Sequence, residues 1–388
     1  MSFELKALKD ICTIQIGKTP SRHESDYWRD GTHAWLSIAD MNQGRYLNNT
    51  KEYITDLGVK ASNIKLIPKN TLVLSYKLSI GKVGITQKPM YTNEAIASLT
   101  ELDSQVDINY LYWALQHIDL LENADRAAMG KTLNKAKLSE VKIPLPPLAE
   151  QRRIASILDQ ADELRQKRQQ AIEKLDQLLQ ATFIDMFGDP VDNLKELETV
   201  ALLDLCKKVT DGTHQSPKWT TKGIPFLFIS NIVDGEIDYS SQKFIDQATY
   251  DSLTKSTKIE LNDILYTTVG SYGNVARVKS DQLFCFQRHI AHIKPDFDKI
   301  NPKFLEKMLS SYGVRRQADR LVRGVAQKTL NLKDLKEIIV FNIPLVEQNH
   351  FVQKCEVIES LKIKSKLALN QADDLFKSLQ NQAFSGNL

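Results

Sequence analysis

The chain has few cysteines and no long apolar run. Its four cysteines in 388 residues, Cys12, Cys206, Cys285 and Cys355, form no Cys-x-x-Cys pair. That argues against a disulfide framework or a zinc knuckle, and for a reducing compartment. No stretch approaches the ~20 apolar residues that a membrane helix needs, and the charged N-terminus lacks the apolar core of a signal peptide. We therefore expect a cytoplasmic globular protein.

Motifs for enzymatic chemistry are also missing. A base-methylating enzyme needs a glycine loop and an Asn/Asp-Pro-Pro-aromatic tetrapeptide, whereas Pro146-Pro147 is followed by leucine. Gly130-Lys131-Thr132 resembles the end of a phosphate loop, but the glycine required five positions earlier is Asp125. His289 and His292 lie three apart on an expected strand, so they face opposite sides and make a poor metal pair. We expect no catalytic residue, metal site or cofactor in this chain.

One segment of the sequence occurs twice. "KTLN" stands at 131–134 and again at 328–331, 197 residues later, and Glu150-Gln151 recurs as Glu347-Gln348 at the same distance. Further matches with slightly smaller offsets, such as "AWLSIADMNQG" from residue 34 and "PFLFISNIVDG" from residue 225, extend the series along the chain. Such a collinear series predicts two related modules rather than a solenoid, whose units are far shorter.

Each module is expected to combine a globular part with a long helix. Short apolar runs bounded by Asn, Asp and Gly, such as "TLVLSY" (71–76) and "ILYTTV" (264–269), are typical of buried strands. Uninterrupted helical sequence follows, and Gly188-Asp189-Pro190 ends its first copy. We predict an α+β fold, with globular domains at 1–147 and 188–344 and long helices at 148–187 and 345–388.

The apolar residues of both helices recur in steps of three and four, as in a coiled-coil seam. Arg168 is the polar exception in the first helix; in the second it is Lys354, with Cys355 beside it. Helices packed separately on their own domains would show a similar period, but about 40 residues span roughly 60 Å, more than such a domain is wide. We therefore predict an antiparallel pair relating the domains by a pseudo-twofold axis. The predicted seam comprises Ile154, Ile157, Ala161, Leu164, Ala171, Leu175 and Leu178, then Phe351, Ile358, Leu361, Ala368, Ala372 and Leu375.

Basic segments recur in both modules although the net charge is only +3. Residues 126–142 hold five Lys or Arg against one acid, and residues 315–336 hold seven against two. Backbone phosphates are natural partners for such segments, because bound Lys and Arg release condensed counterions. A solvated charged face would have the same composition. Nearby loops rich in Arg, His, Asn, Ser and Tyr suit the reading of base edges.

Together these motifs resemble a known family, the specificity (S) subunits of type I restriction-modification systems. The matching features are "GKTPS" (17–21), "WLSIADM" (35–41) and "KTLN" followed by "IPLPPLAEQRRI" and a long helix, all in duplicate. The resemblance covers essentially the whole chain. The second copy, "FNIPLVEQNHF", departs from the first because it lacks the double proline and the arginine pair.

The resemblance implies a DNA-specificity subunit with no catalytic residue of its own. Each globular domain would be a target-recognition domain for one half of a bipartite asymmetric site. The paired helices would space these domains and dock two methyltransferase (M) subunits, which bind S-adenosylmethionine. Restriction (R) subunits using ATP and magnesium would complete the endonuclease. Two alternatives stay open: a coiled-coil DNA-binding scaffold or regulator without methyltransferase partners, and the recognition part of a fused restriction enzyme.

The candidate residues lie on the basic segments, the polar loops and the helices. Those predicted to bind DNA are Lys18, Ser21, Arg22, His23, Lys77, Lys82, Arg126, Lys131, Thr213, His214, Lys218, Tyr272, Asn274, Arg288, His289, Arg320, Arg323 and Lys328. Those predicted to dock partners or form the helix seam are Glu150, Gln151, Ile154, Leu164, Glu347, Gln348, Ile358 and Leu361.

Overall fold

The chain folds into two units, and each contains segments of both long helices. The computed structural model describes residues 3–77, 79–120, 125–127, 130–214, 216–255, 258–324 and 327–388, with only the backbone of 125–127 and 130–132. Unit 1 comprises Met1–Gln169 and Leu367–Leu388, and unit 2 comprises Gln170–Lys366. Both boundaries fall inside the long helices because the helix segments pack into the cores of the units.

The elements up to the first long helix are as follows. They are β1 (Leu5–Ala7), α1 (Leu8–Ile11), β2 (Thr13–Ile16), β3 (His33–Leu36), β4 (Tyr46–Leu47), β5 (Glu52–Ile54), α2 (Asp56–Ser62), β6 (Leu72–Ser75), β7 (Val83–Thr86), β8 (Tyr91–Thr92), β9 (Ile96–Thr100), α3 (Ile108–His117), β10 (Asp125–Ala127), β11 (Gly130–Thr132), α4 (Lys135–Ser139), β12 (Lys142–Pro144) and α5 (Leu148–Phe187).

Unit 1 contains a five-stranded sheet in the order β2-β9-β6-β7-β4 and a three-stranded sheet in the order β5-β3-β8. All four residues of β6 are buried, as expected for a continuous apolar run in the middle of a sheet. Helix α3 packs Tyr110 and Trp113 into the same core. Asp107 caps this helix, because its Oδ1 accepts the N–H groups of Asn109 and Tyr110.

The elements after α5 are as follows. They are β13 (Thr199–Ala201), β14 (Cys206–Asp211), β15 (Ile224–Leu227), β16 (Ile232–Val233), β17 (Glu236–Ile237), β18 (Phe244–Ile245), α6 (Gln247–Thr254), β19 (Ile264–Thr267), β20 (Val275–Arg277), β21 (Cys285–Phe286), β22 (Ile290–Pro295), α7 (Pro302–Leu309), α8 (Tyr312–Leu321), α9 (Leu332–Lys336), β23 (Ile339–Phe341) and α10 (Leu345–Ser385).

Unit 2 repeats the strand order of unit 1. Its four-stranded sheet runs β14-β22-β19-β20, which corresponds to β2-β9-β6-β7, and its three-stranded sheet β18-β15-β21 corresponds to β5-β3-β8. The short pair β13-β23 likewise corresponds to β1-β12. The fold is therefore mixed α and β in both units. Across the described residues, no helix is both long and apolar enough to cross a membrane.

In each unit, segments of the two long helices join one hydrophobic core. Ile154 and Leu158 of α5 lie with Phe376 of α10 in the core of unit 1. Phe183 of α5 packs edge-on against Phe351 of α10 in unit 2, with ring centroids 5.5 Å apart. Of the predicted seam residues, Ile154 is therefore buried as expected, and so is Ile358.

Ion pairs between the helices also recur. Arg165 donates to Asp373 in unit 1, and Lys362 donates to Asp176 in unit 2. Arg165 and Lys362 are 197 residues apart, and so are Asp176 and Asp373. The repeat therefore extends to side-chain contacts, with the roles of the two helices exchanged between the units.

Five of the thirteen predicted seam residues are wrong because they are exposed, namely Leu164, Ala171, Leu178, Leu361 and Leu375. Leu164 is 42% exposed and Leu361 46%, whereas the neighbouring Arg165 and Lys362 lie on the packed side of their helices. Leu178 and Leu375 are likewise exposed. The error has a physical reason: the packed face accepts cations at positions where an aspartate of the other helix neutralises them. A seam chosen by apolar character passes over such positions.

Gln151 and Gln348 were predicted to dock partners, and that is wrong because both are 1% exposed. Gln151 Oε1 accepts the N–H of Asp107 (2.9 Å), and its Nε2 donates to the carbonyls of Gln105 and Pro146 (both 2.8 Å). The amide thus ties the start of α5 to the cap of α3. Gln348 makes the equivalent bonds in unit 2, with Asn301 N–H (2.7 Å), Lys299 O (3.0 Å) and Ile343 O (2.6 Å).

The preceding glutamates lie nearer the surface. Glu150 accepts two hydrogen bonds from Arg153 (2.7 and 2.8 Å), and this contact lowers the pKa of Glu150. Glu347 is exposed at the start of α10. Both are available to a partner, and their role in docking stays a prediction.

Candidate nucleic-acid interface

Four strands of the five-stranded sheet in unit 1 start or end on the same side, where their connecting loops lie together. β2 and β6 end there while β9 and β7 begin there, because these neighbours are antiparallel. Backbone hydrogen bonds join the loops: Gly17 N–H donates to Ile96 O (3.2 Å) and Tyr76 N–H donates to Ala95 O (3.0 Å). We call segments 17–23, 76–77, 79–82 and 92–95 the first loop edge.

Two indole groups fix loop 17–23. Trp28 Nε1 donates to Ser21 O and Trp35 Nε1 donates to Lys18 O, both at 3.0 Å. The backbone of the loop is therefore held from within the unit while its side chains remain accessible. Its four candidate residues are all exposed: Lys18, Ser21, Arg22 and His23.

Lys77 and Lys82, on the next loop, are partly buried. Lys77 Nζ lies 5.3 Å from the centroid of the Tyr76 ring. Lys82 Nζ donates to Asn42 Oδ1 at 2.6 Å. Both lysines place positive charge at the first loop edge, but their ammonium groups already have partners inside the unit.

Arg126 and Lys131 are paired residues of the hairpin β10-β11. Leu133, just after it, donates its N–H to Tyr76 O (3.1 Å), which attaches the end of the hairpin to the first loop edge. The side chains of Arg126 and Lys131 lie outside the described residues, so their contact with DNA stays a prediction. Gly130–Thr132 is a strand, whereas a phosphate loop leads directly into a helix.

Unit 2 has the same arrangement at the corresponding edge. β14 and β19 end there, and β22 and β20 begin there. Gly212 N–H donates to Ile290 O (3.2 Å) and Thr268 N–H donates to His289 O (2.9 Å), which repeats the bonds of unit 1. We call segments 212–214, 216–218, 268–274, 287–289, 323–324 and 327–330 the second loop edge.

The loop after β14 carries three candidates. Thr213 is held through its backbone, since its carbonyl accepts the N–H of Arg288 (3.0 Å). His214 is exposed and its Nε2 lies 2.9 Å from Asp211 Oδ2. Lys218 is exposed. The structure thus joins Arg288 to Thr213, which His214 follows in the chain.

Arg288 and His289 precede β22. Arg288 is exposed, whereas His289 is partly buried. Burial lowers the pKa of the His289 imidazole, and the adjacent Arg288 cation lowers it further. A neutral imidazole can both donate and accept a hydrogen bond, which suits the mixed edges of the bases.

Three further cations of unit 2 are exposed, namely Arg320, Arg323 and Lys328. The carbonyl of Lys328 accepts the N–H of Gly270 (2.9 Å), so this lysine lies on the second loop edge. Arg323 Nη2 is 3.7 Å from Asp334 Oδ2, and Arg320 is in the last turn of α8.

One candidate, Tyr272, is wrong because its side chain is buried in the turn that carries it, and a second, Asn274, already has a partner inside the unit. Tyr272 is 5% exposed, and its hydroxyl donates to Asp319 Oδ1 (2.7 Å). Asn274 is partly buried, and its Nδ2 donates to Ile232 O (3.0 Å). Arg315 covers the tyrosine ring, with Cζ 4.4 Å from the centroid.

The two histidines of the predicted strand lie in different surroundings. His292 is buried with its Nε2 2.6 Å from Asp263 Oδ2, an oxygen that also accepts from Lys294 Nζ (2.9 Å). His289 lies on the loop before this strand. Within the part of the chain that the structure describes, no three His, Cys, Asp or Glu side chains are grouped to hold a metal ion.

An aromatic pair beside each loop edge escaped the sequence analysis. The rings of Trp28 and Trp35 meet edge-to-face with centroids 5.0 Å apart. Trp219 and Phe226, each 191 residues later, have the same separation and geometry. The constant offset is the signal that could have revealed them, since Trp35 and Phe226 already fall in matched segments.

The chain matches a known protein-family model. The type I restriction modification DNA specificity domain matches residues 2–174. The chain is 29% identical over 332 residues to the type I restriction enzyme EcoBI specificity subunit of Escherichia coli, covering 78% of this chain and 70% of that protein. It is 26% identical over 377 residues to the MjaIX specificity subunit of Methanocaldococcus jannaschii, covering 90% and 85%.

Solved structures share the fold over the full length. The S subunit of a type I restriction-modification system from M. genitalium aligns with a TM-score of 0.52 at 16% identity, covering 98% of this chain and 96% of that one. A chain solved in work on complex assembly and conformational transition of the type I R-M system aligns with a TM-score of 0.63 at 16% identity, covering 100% and 98%.

Proposed function

Because the chain belongs to the specificity subunits of type I restriction-modification systems, we propose that its two units are target-recognition domains. Each domain reads one half of a bipartite asymmetric DNA site through its loop edge. The chain supplies recognition and assembly, and catalysis belongs to other subunits. It does this work in the cytoplasm, where its DNA is.

The observation that best supports this proposal is that the two loop edges share one backbone arrangement but carry different side chains. Gly17 and Gly212 hold equivalent loops, and a Cβ at either position would collide with carbonyl oxygens of the neighbouring segment. The residues that follow differ: Lys18 in unit 1 corresponds to Thr213 in unit 2. An equal frame with unequal side chains supports the reading of two different half-sites.

We further propose that α5 and α10 form an antiparallel coiled-coil spacer with a pseudo-twofold relation. The exchanged ion pairs support this, since Arg165–Asp373 in unit 1 becomes Lys362–Asp176 in unit 2. Helices of 40 and 41 residues extend roughly 60 Å at 1.5 Å per residue. DNA-binding elements that enter successive major grooves on one side lie about 34 Å apart.

Two methyltransferase subunits are the proposed partners. Unit 1 exposes Leu164 and Leu375, and unit 2 exposes Leu361 and Leu178, which stand 197 residues from them. Apolar residues exposed at equivalent positions suit two copies of one partner better than two unrelated ones. S-adenosylmethionine would be bound by those subunits, and ATP and magnesium by restriction subunits where present.

The test is sequencing of methylated bases in a methylation-free host that carries the cognate modification subunit, with and without this chain. A bipartite asymmetric motif methylated only when the chain is present is the expected result. Methylation that does not depend on the chain, or a single continuous motif, would overturn the proposal. In a second assay, the purified chain should not bind labelled S-adenosylmethionine; binding would contradict the non-catalytic role.

A further inference from the structure

A cation lies over the aromatic pair in both units. Arg22 Cζ is 3.8 Å from the centroid of the Trp28 ring, and Lys243 Nζ is 5.5 Å from that of Trp219. Both distances are within the range of cation–π attraction. Since Trp28 and Trp219 correspond in the repeat, each unit has one positive charge over the equivalent aromatic ring.

The two cations come from different positions, and the charge at one position is inverted. Glu52 pairs with Trp35 in the register of β5 and β3. Lys243 occupies the same place beside Phe226, whose N–H donates to the lysine carbonyl (2.9 Å). The strand position next to the aromatic pair is therefore acidic in unit 1 and basic in unit 2.

In unit 1 the carboxylate of Glu52 accepts two hydrogen bonds from the guanidinium of Arg22. Nη2 donates to Oε2 at 3.0 Å and Nη1 donates to Oε1. This is the two-point geometry with which arginine also binds a phosphate or the O6/N7 edge of guanine. The hydrogen bond to Glu52 raises the pKa of Arg22 further, so the group stays charged.

The pair is also open to competition. The Arg22 side chain is 50% exposed and that of Glu52 is 40% exposed. Ion pairs at such exposure are weak, because water solvates both partners and salt screens them. An incoming acceptor pair can therefore replace the carboxylate without unfolding loop 17–23, whose carbonyls at Ser21 and Lys18 are held independently.

We propose that Glu52 is a gate on Arg22 in the first recognition domain, a role that rests on the proposed function. Its carboxylate withholds Arg22 from DNA until a two-point acceptor, a guanine edge or a phosphate, takes its place. The pair therefore lowers the affinity of the domain for any DNA that offers such an acceptor. Lys243, at the equivalent place in unit 2, adds attraction instead of a competitor.

The variant Glu52→Gln removes the charge and opens the gate on any DNA. The gain on any duplex is limited to what breaking the exposed pair had cost, roughly 1.4- to 5-fold in affinity. The cognate duplex, whose acceptor binds Arg22 more tightly, comes closest to this limit. A non-specific duplex gains less, with a salt slope that steepens by only part of the roughly 0.9 expected for one full phosphate contact. Both duplexes should therefore bind more tightly.

The matched variant is Lys243→Gln, which changes the equivalent position in the opposite sense. It should weaken non-specific binding and flatten the salt slope by about 0.9. Arg22→Gln identifies the acceptor in the cognate complex. An unchanged slope indicates a guanine edge, and a slope flatter by about 0.9 indicates a phosphate.

The experiment uses the full chain in complex with its modification subunits. Fluorescence anisotropy measures binding to labelled duplexes that carry the methylated motif or a scrambled one, across a salt series. The wild-type complex must first prefer its motif; no preference would sink the proposed function itself. With that preference in place, the gate is overturned if Glu52→Gln leaves the affinity for both duplexes unchanged. It is also overturned if the variant loses cognate affinity, since Glu52 would then read a base directly. A melting temperature of the variant equal to that of the wild type excludes misfolding.

Discussion

Replacing Gln151 by leucine should loosen unit 1 at one defined place. The side chain is buried and makes three hydrogen bonds: those with Asp107 and Gln105 join the start of α5 to the segment that caps α3, and the third goes to Pro146 just before α5. Leucine has nearly the same size, so the substitution removes the bonds without opening a cavity. The N–H of Asp107 and the carbonyl of Pro146 would lose their partners.

The size of the effect follows from those three bonds. Each hydrogen bond of this type contributes about 0.5–1.5 kcal/mol net, and a buried group left unpaired costs about 1–3 kcal/mol. Leucine recovers part of this through apolar burial, so we expect a loss of about 2–4 kcal/mol. Set against the 5–15 kcal/mol that is typical of a domain, unit 1 should open well before unit 2.

Amide hydrogen exchange of the full chain, with urea denaturation, measures this directly. In Gln151→Leu the amide of Asp107 should lose protection while that of Asn301 keeps it. The matched variant Gln348→Leu should do the reverse, because Asn301 N–H donates to Gln348. Loss of protection at both amides in either variant, or a cost below about 0.5 kcal/mol, would refute the reasoning, since that is the lower limit for one bond.

Three further predictions concern the helices. Phe376→Ala should cost about 3–5 kcal/mol in a thermal or urea melt, because the ring is buried in the core of unit 1; Leu164→Asp, at an exposed site, should stay within about 1 kcal/mol. The pKa of Glu359 is lowered. Burial alone would raise it, but hydrogen bonds from two lysines of α7 outweigh the effect of burial. Its stabilisation is therefore present above the ordinary pKa and lost as pH falls through the lowered one, so Glu359→Gln should destabilise unit 2 at pH 7 and converge with wild type in acid. The fragment 1–187 should sediment as a dimer, because Leu179 of a second copy stands at the repeat position of the missing Phe376; a stable monomer would contradict the two-module reading.

The period and the repeat were readable from the sequence because they depend on residue type and spacing. Helix α5 begins at Leu148 and ends at Phe187, the limits predicted from its flanking Pro and Gly residues. The phase of its packed face was not readable. Arg165 can pack there because Asp373 neutralises it, and that partner lies 208 residues away in the chain.

The loop candidates show the same limit. Lys18, Arg22, Lys218 and Arg288 lie exposed on loops as predicted, because charged side chains seldom leave water. Tyr272 was misassigned because a tyrosine in a glycine-rich turn fits both a base contact and a core position. Which of the two applies depends on Asp319, which accepts a hydrogen bond from the tyrosine hydroxyl and lies 47 residues further along the chain. Residue type alone carries no information about such distant partners.

Charges at matched positions of the repeat are kept on the long helices and changed near the loop edges. The helix ion pairs keep their charges, with Arg165 matched by Lys362 and Asp176 by Asp373, whereas Glu52 is matched by Lys243 on the loop side. A symmetric homodimer could satisfy the first constraint but not the second, because every change in a loop would appear twice and a palindromic site would follow. Two copies in one chain remove that restriction. The helices can stay matched for two identical partners while each loop edge acquires its own charges, which is the arrangement that an asymmetric bipartite site requires.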